Sequence, residues 1–193
     1  MRELERELDN YTSRIIEHAT LSSILENSGY KRINDKIAQL KNKGILTPLK
    51  SGYYVYNPLH NNTLVSKEII ANLLLGPSYI SLDFALSFHG LIPESVHEVT
   101  SITTKRSKFF ETVYGIFSYQ QIKKELFNIG LKIQTSKSGN FIIASKEKAL
   151  CDKVYFTKDI DLRSQKAMME FLEDDLRIDI DELENCNINI FEN

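Results

Sequence analysis

Three stretches with helical periodicity and two short strand-like runs crowd into residues 1–56, and that density of elements leaves few folds open. Leu4, Leu8, Tyr11, Ile15 and Ala19 recur at steps of four and three with polar residues between them, which predicts an amphipathic helix from Arg2 to His18. Thr20 is placed to cap a second helix running to Glu26, and Asn27, Ser28 and Gly29 supply a turn. Ile33, Ile37 and Leu40 mark the inner side of a third helix over Tyr30–Lys43, with Gly44 as its terminator. Ile45–Thr47 and Tyr53–Tyr56, joined by a turn through Pro48, Leu49, Lys50, Ser51 and Gly52, read as a β-hairpin.

Helix, short glycine-bearing turn, helix and hairpin is the order of a winged helix-turn-helix, expected over residues 1–57. With Ile33, Ile37 and Leu40 turned inward at about 100° per residue, Lys31, Asp35, Ala38 and Asn42 face out, flanked by Arg32, Asn34 and Gln39. Such a face suits DNA: cations meet phosphates, amides meet base edges, and a small residue permits close approach. The candidate DNA-binding residues are therefore Lys31, Arg32, Asn34, Asp35, Gln39, Lys50 and Tyr53. Arg32 suits guanine or phosphate, Asn34 and Gln39 suit adenine, Lys50 suits an adjacent phosphate, and Tyr53 supports the wing.

Charge strengthens this reading. The net charge of −2 conceals a split: residues 30–50 hold Lys31, Arg32, Lys36, Lys41, Lys43 and Lys50 against Asp35 alone, whereas 158–193 hold eleven acids against four cations. A chain so divided can bind a polyanion at its basic end. The plainer alternative is a solvated lysine face, or a winged helix that binds protein. Topology coinciding with the local positive excess favours DNA. The periodicity of the first helix also fits a dimer seam, although so short a seam is more often core within one domain.

Asn57–Thr63, polar and bearing Pro58 with two adjacent asparagines, reads as a linker. Residues 64–193 then form a larger mixed α/β domain with a small sheet flanked by helices, an α+β protein overall. Helices are expected at Lys67–Leu75, Leu82–His89, Lys146–Phe156 and Arg163–Leu176, and strands at Val96–Thr104, Thr112–Tyr119, Leu131–Thr135 and Phe141–Ala144. Gly76 and Pro77 break the first helix, and Ser81 is placed to cap the next, whose Leu82, Ala85, Leu86 and His89 share a face. Ala149, Leu150 and Val154 form the core side of a later helix, with Lys146, Glu147, Lys148 and Lys153 outside. His89 reads as a packed or hydrogen-bonded helix-end residue. Lys105, Arg106 and Lys108, beside Phe109 and Phe110, form a solvated loop that is also the best second candidate surface for nucleic acid or a partner.

Several runs in this domain have a particular order and spacing: Gly76-Pro77-Ser78-Tyr79-Ile80-Ser81-Leu82-Asp83-Phe84-Ala85-Leu86, His89-Gly90-Leu91-Ile92-Pro93-Glu94, Val99–Lys105, Tyr114–Tyr119 and Phe141–Asp152. With the basic hairpin ending Gly52-Tyr53-Tyr54, they make residues 15–157 resemble the AbiEi antitoxin family of bacterial abortive-infection (type IV) toxin–antitoxin systems. The resemblance implies an N-terminal domain that represses its own operon by binding promoter DNA. It also implies a C-terminal domain that counteracts a nucleotidyltransferase-like toxin without needing a stable complex with it. The acidic segment from Lys158 onward lies outside these runs.

No enzyme chemistry is legible. None of His18, His60, His89 and His97 has the spacing of an HExxH zinc site. GxxxxGK[ST], GxGxxG and GxSxG are absent, and no lysine follows an acid by two positions. Glu94, His97 and Glu98 are a chance-level acid/base set, and Cys151 sits on the apolar side of a helix pattern, as core. No cofactor and no metal are expected. Cys151 and Cys186, too far apart for a ligand pair, read as reduced thiols, and with no signal peptide the expected location is the cytoplasm. No apolar run approaches the roughly 20 residues of a membrane span. The rivals to a DNA-binding antitoxin are a ligand-responsive winged-helix regulator, which needs a deep apolar pocket in the second domain, and a protein-binding adaptor, which needs no DNA affinity.

Overall fold

The first helical face is interrupted at Tyr11. The computed structural model describes residues 2–58, 65–158, 161–179 and Leu183, and in it α1 covers only Arg2–Asp9. A turn follows in which Arg14 takes a positive φ of 56° and Ser13 Oγ accepts from the Ile15 amide at 3.3 Å. Ile15–Glu17 is a strand, β1, where the sequence predicts helix. Its β-branched pair favours extended backbone, and both isoleucines are buried. The steps of four and three thus describe one apolar surface shared by a helix and a strand. The next helix, α2, covers His18–Asn27 with Glu17 at its N-cap, so Thr20 lies inside its first turn and is not the cap.

Gly29, at φ 83°, closes α2. Its amide bonds to Glu26 and that of Tyr30 to Leu25, the two bonds that satisfy the last carbonyls of a helix. Tyr30 is thereby committed to the preceding helix, and α3 starts later than its periodicity suggests, at Ile33–Asn42, with Lys31 and Arg32 in the connecting turn. The same pair of bonds recurs at the end of α3, Gly44 to Lys41 and Ile45 to Leu40, at φ 71° for Gly44.

Two strands, β2 (Leu46–Lys50) and β3 (Tyr53–Tyr56), then form the hairpin. The turn is tighter than expected, Ser51–Gly52, and β2 extends through Pro48 with a register shift between Pro48 and Lys50. A proline fits there because β2 is an edge of the three-stranded sheet β1-β3-β2 and its missing donor can face away from the ladder. Antiparallel β1 sets Ile15 against Val55 and Glu17 against Tyr53. Leu4, Leu8, Ile16, Leu21, Leu25, Ile37, Leu40, Leu46 and Tyr56 share one core. Burial, then the charge and hydrogen bond of Asp9, raise the Tyr56 hydroxyl pKa to about 12. Asn57 belongs to this structure and not to a linker: its amide bonds Ile45 O, and its Nδ2 donates to Thr47 Oγ1 at 2.8 Å. Pro58 is also described, and residues 59–63 of the expected linker lie outside the described residues.

The chain divides into two compact units, Met1–Ile70 with Ser136–Gly139, and Ala71–Thr135 with Asn140–Asn193. The division falls inside α4 (Lys67–Leu74). A six-stranded sheet of order β6-β7-β5-β4-β9-β8 comes next, its strands being β4 (Ser78–Ile80), β5 (Val99–Thr103), β6 (Lys108–Thr112), β7 (Gly115–Gln121), β8 (Leu131–Ser136) and β9 (Gly139–Ala144). It is mixed: β4–β5 and β6–β7 are antiparallel, β5–β7 and β4–β9 parallel. Strand β4 escapes sequence prediction because Gly76 and Pro77 dominate its neighbourhood. β6 replaces the expected loop from Lys108, since Phe110 pairs with Phe117 and packs edge-on against Tyr119. Helices α5 (Leu82–Phe88), α6 (Lys124–Phe127) and α7 (Lys146–Phe156) accompany the sheet. The last predicted helix is shorter and changes character, α8 over Gln165–Glu170 passing into a π-helical turn at Phe171–Asp175. Asn72 clamps β9 by mimicking a backbone, its Oδ1 accepting from the Ile142 amide and its Nδ2 donating to the Ile142 carbonyl.

Nothing lies within 4 Å of a Cβ built on Gly44, so the cost of a side chain there is conformational alone. Gly44→Ala is expected to lower the unfolding free energy by about 1–2 kcal/mol, measured as a shift in the urea midpoint. A neutral result would mean that the α3 terminus does not hold this geometry in solution.

Candidate nucleic-acid interface

Helix α3 presents two chemically different sides. Ile37 and Leu40 are buried and Ile33 half-buried, whereas Asn34, Asp35, Ala38, Gln39, Lys41 and Asn42 are exposed. Lys31 and Arg32, both exposed, precede the helix in the turn set by Gly29 and Tyr30. Lys31, Arg32, Asn34 and Asp35 line one open surface depression, and Lys31, Arg32, Asp35, Lys36 and Gln39 line a second. Five of the seven predicted residues are therefore neighbours around the first turns of α3.

Two short-range contacts order this surface. Arg32 reaches Asp35 at 3.8 Å with both side chains mostly in water, a pair too exposed to stabilise the fold appreciably but able to bias the guanidinium toward the helix start. Lys36 Nζ lies 4.4 Å from the centre of the Tyr30 ring and donates to Gln39 Oε1 at 3.3 Å. Neither Tyr30 nor Lys36 is among the site residues expected from sequence. Their spacing across a helix start is the available signal, obscured because periodicity alone puts Tyr30 inside the helix.

Lys50 and Tyr53 pair with each other. They are opposite residues across the hairpin turn, with Lys50 Nζ 4.7 Å from the ring centre. Behind them, His18 Nδ1 and the Tyr54 hydroxyl are 3.3 Å apart, which joins the start of α2 to β3.

In the second unit, Lys105 and Arg106 lie in the β5–β6 connection, and Lys108 is the first residue of β6. Phe109 is 60% exposed and Phe110 half-buried, so the two phenylalanines divide between solvent and core as neighbours on a strand do.

The polar cluster that sequence patterning does not announce is internal. Lys148 and Asp152, one helical turn apart on α7, are both buried and their charged groups meet at 2.8 Å. Asp152 Oδ2 also accepts from the Tyr79 hydroxyl at 3.0 Å and the Ser81 hydroxyl at 2.8 Å, and Lys148 Nζ donates to the Leu126 carbonyl at 2.9 Å. Two expectations are corrected here: Lys148 is not outside, and Ser81 bonds Asp152 rather than capping α5, where it makes no side-chain cap. The actual cap on α7 is Ser145, accepting from the Lys148 amide. Ser145, Lys148, Ala149 and Asp152 form the inward stripe at steps of three, one and three, while Leu150 and Val154 are only half-buried and Cys151 is exposed. Burial, then the Asp152 charge, push the Tyr79 hydroxyl far above its ordinary pKa, so it stays a donor.

His89 Nε2 lies 2.8 Å from the Ala144 carbonyl oxygen. Glu94 pairs with Arg177. Among the described residues no three His, Cys, Asp or Glu side chains converge as a metal site, and no helix is long and apolar enough to cross a membrane. No family model matches the chain, and no curated protein matches it.

Removing one member of a buried ion pair strands the other. Asp152→Ala is expected to destabilise the protein by about 3–5 kcal/mol, whereas Lys148→Met with Asp152→Asn, which keeps an acceptor for Tyr79 and Ser81, recovers more than half of that loss in thermal or urea unfolding. Equal losses in the two variants would refute the pairing. A second outcome concerns pH. Burial lowers the His89 pKa below its ordinary 6.5, so the unfolded chain takes up the proton first. Stability linked to this residue is full above about pH 6.5 and declines as pH falls below it. His89→Gln should flatten the urea midpoint between pH 7.5 and about 5.5; an unaltered slope would show that His89 does not contribute.

Proposed function

We propose that this chain is a DNA-binding autorepressor and antitoxin of the AbiEi type. Its first unit acts as a winged helix-turn-helix, with α3 as the recognition helix and the β2–β3 hairpin as the wing. The observation that carries this reading is the two-sided character of α3. Its inner side is committed to the core, and its outer side, with the cationic turn Lys31–Arg32 at its start, is open to solvent. Base edges in a major groove are read by residues near the start of a recognition helix, which is where Arg32, Asn34 and Asp35 lie. In this pose Lys31 and Lys50 neutralise phosphates, Arg32 and Asn34 choose sequence, and Asp35 accepts from a cytosine amine or steers Arg32. Tyr53 holds Lys50 against the wing.

The antitoxin half rests on the family resemblance of the second unit, whose role is to oppose a nucleotidyltransferase-like toxin. Location in the bacterial cytoplasm belongs to the same proposal. Finding a nucleotidyltransferase-like reading frame beside this gene would support it, and co-expression that restores growth against that toxin would test it.

The DNA half is tested by fluorescence anisotropy on the operon's promoter across a salt series. Lys31→Glu with Lys50→Glu should weaken binding to all duplexes by about tenfold or more and flatten the salt dependence. Arg32→Ala or Asn34→Ala should instead change which promoter variants bind best. Wild-type affinity after the double reversal would remove this face from the DNA interface.

A further inference from the structure

A second set of cations is assembled at one end of the six-stranded sheet. Parallel strands β5 and β7 end side by side, Thr103 opposite Gln121. The Ile122 amide bonds Thr103 O, and Gln121 bonds both the Thr104 carbonyl and the Ser107 hydroxyl. These bonds fix the β5–β6 connection against the segment that leaves β7. Lys105 and Arg106 project from the first, Lys123 and Lys124 from the second, and Lys108 opens β6 opposite Tyr119. All five are exposed. Across residues 104–112 and 120–126 the carboxylates are Glu125 and Glu111, the latter exposed on β6 two residues beyond Phe109. Phe109, 60% exposed, follows Lys108 on β6, which is an edge of the sheet, and strand alternation turns its ring to the opposite face from Lys108, whose Nζ lies 5.7 Å from the centre of the Phe110 ring.

We infer that this end of the sheet binds a single-stranded nucleic-acid segment, with phosphates along Lys105, Arg106, Lys108, Lys123 and Lys124 and a base stacked on Phe109. Charge sets the class of ligand, because five cations at the mouth of two parallel strands attract a polyanion. The aromatic ring sets the form. Bases in a duplex have their faces covered, whereas a single strand offers a π-face to an exposed phenylalanine, and cationic groove plus stacking platform is how sequence-tolerant single-strand binding is built. The site is independent of α3 and does not rest on the promoter-binding proposal.

The test measures anisotropy of labelled oligothymidine and oligouridine of about 12 nucleotides with the full chain, its variants, and promoter duplex as a parallel probe. Lys105→Glu, Arg106→Glu and Lys108→Glu together should weaken single-strand binding by about tenfold or more and reduce its salt dependence. Phe109→Ala alone should weaken it by roughly fivefold or more with the salt slope intact. Lys105→Gln, Arg106→Gln and Lys108→Gln serve as the milder variant, and thermal melts report folding of each. Single-strand affinity that survives these changes, or that is lost only on reversal of Lys31 and Lys50, overturns the inference. Full displacement of the oligonucleotide by polyglutamate at equal charge, with no effect of Phe109→Ala, identifies an acidic protein as the ligand instead and likewise overturns it.

Discussion

A carboxylate withdrawn almost wholly from water must find donors inside the protein, and Asp152 finds three. They come from Lys148 one turn back on α7 and from Tyr79 and Ser81 on and just after β4. Desolvating the ammonium and the carboxylate is costly unless both are saturated, and here Lys148 is also held by the Leu126 carbonyl. The geometry of the second unit obeys that requirement. Strand β4, helix α7 and the end of α6 have to occupy fixed positions for the bonds to close, and Tyr79, buried and kept protonated, fills the space between them. An apolar cluster of the same volume would hold these elements together with less demand on orientation.

The first unit is arranged differently, by termination rather than by a buried charge. Two helices in succession end through the same pair of amide bonds at Gly29 and Gly44, and each ending sets the path of the next few residues. Closing α2 removes Tyr30 from α3, which leaves Lys31 and Arg32 in a turn; closing α3 delivers Ile45 and Leu46 to the core. The cationic approach to α3 is thus a by-product of how the helix before it stops.

Legibility in the sequence varies with the kind of signal. Apolar periodicity locates α3, α5 and α7 and the inner side of α3, because Ile37, Leu40, Ala85 and Leu86 obey the rule that apolar residues at helical spacing are buried. It fails where burial is polar. Lys148 and Asp152 lie on the inward stripe of α7, where a charged side chain argues for the outside. It fails again where one apolar surface crosses from helix to strand at Ile15, and where glycine and proline mask the three-residue β4. Candidate residues near α3 are legible from charge and spacing together. Tyr53 is among them as a support of the wing, but the Tyr30 ring that steadies Lys36 is not, since a Tyr–Lys contact across a helix start leaves no periodic trace.

Those rings bear on the thermodynamics of contact. A lysine in solution samples many rotamers, and gripping an anion means giving up that freedom. Lys36 above Tyr30 and Lys50 above Tyr53 have already surrendered part of it to an aromatic face, at a gain of roughly half to one kcal/mol for an exposed cation–π pair. Any negatively charged surface that arrives therefore meets ammonium groups whose search is partly complete. Its grip depends less on ordering flexible arms and more on the charges themselves.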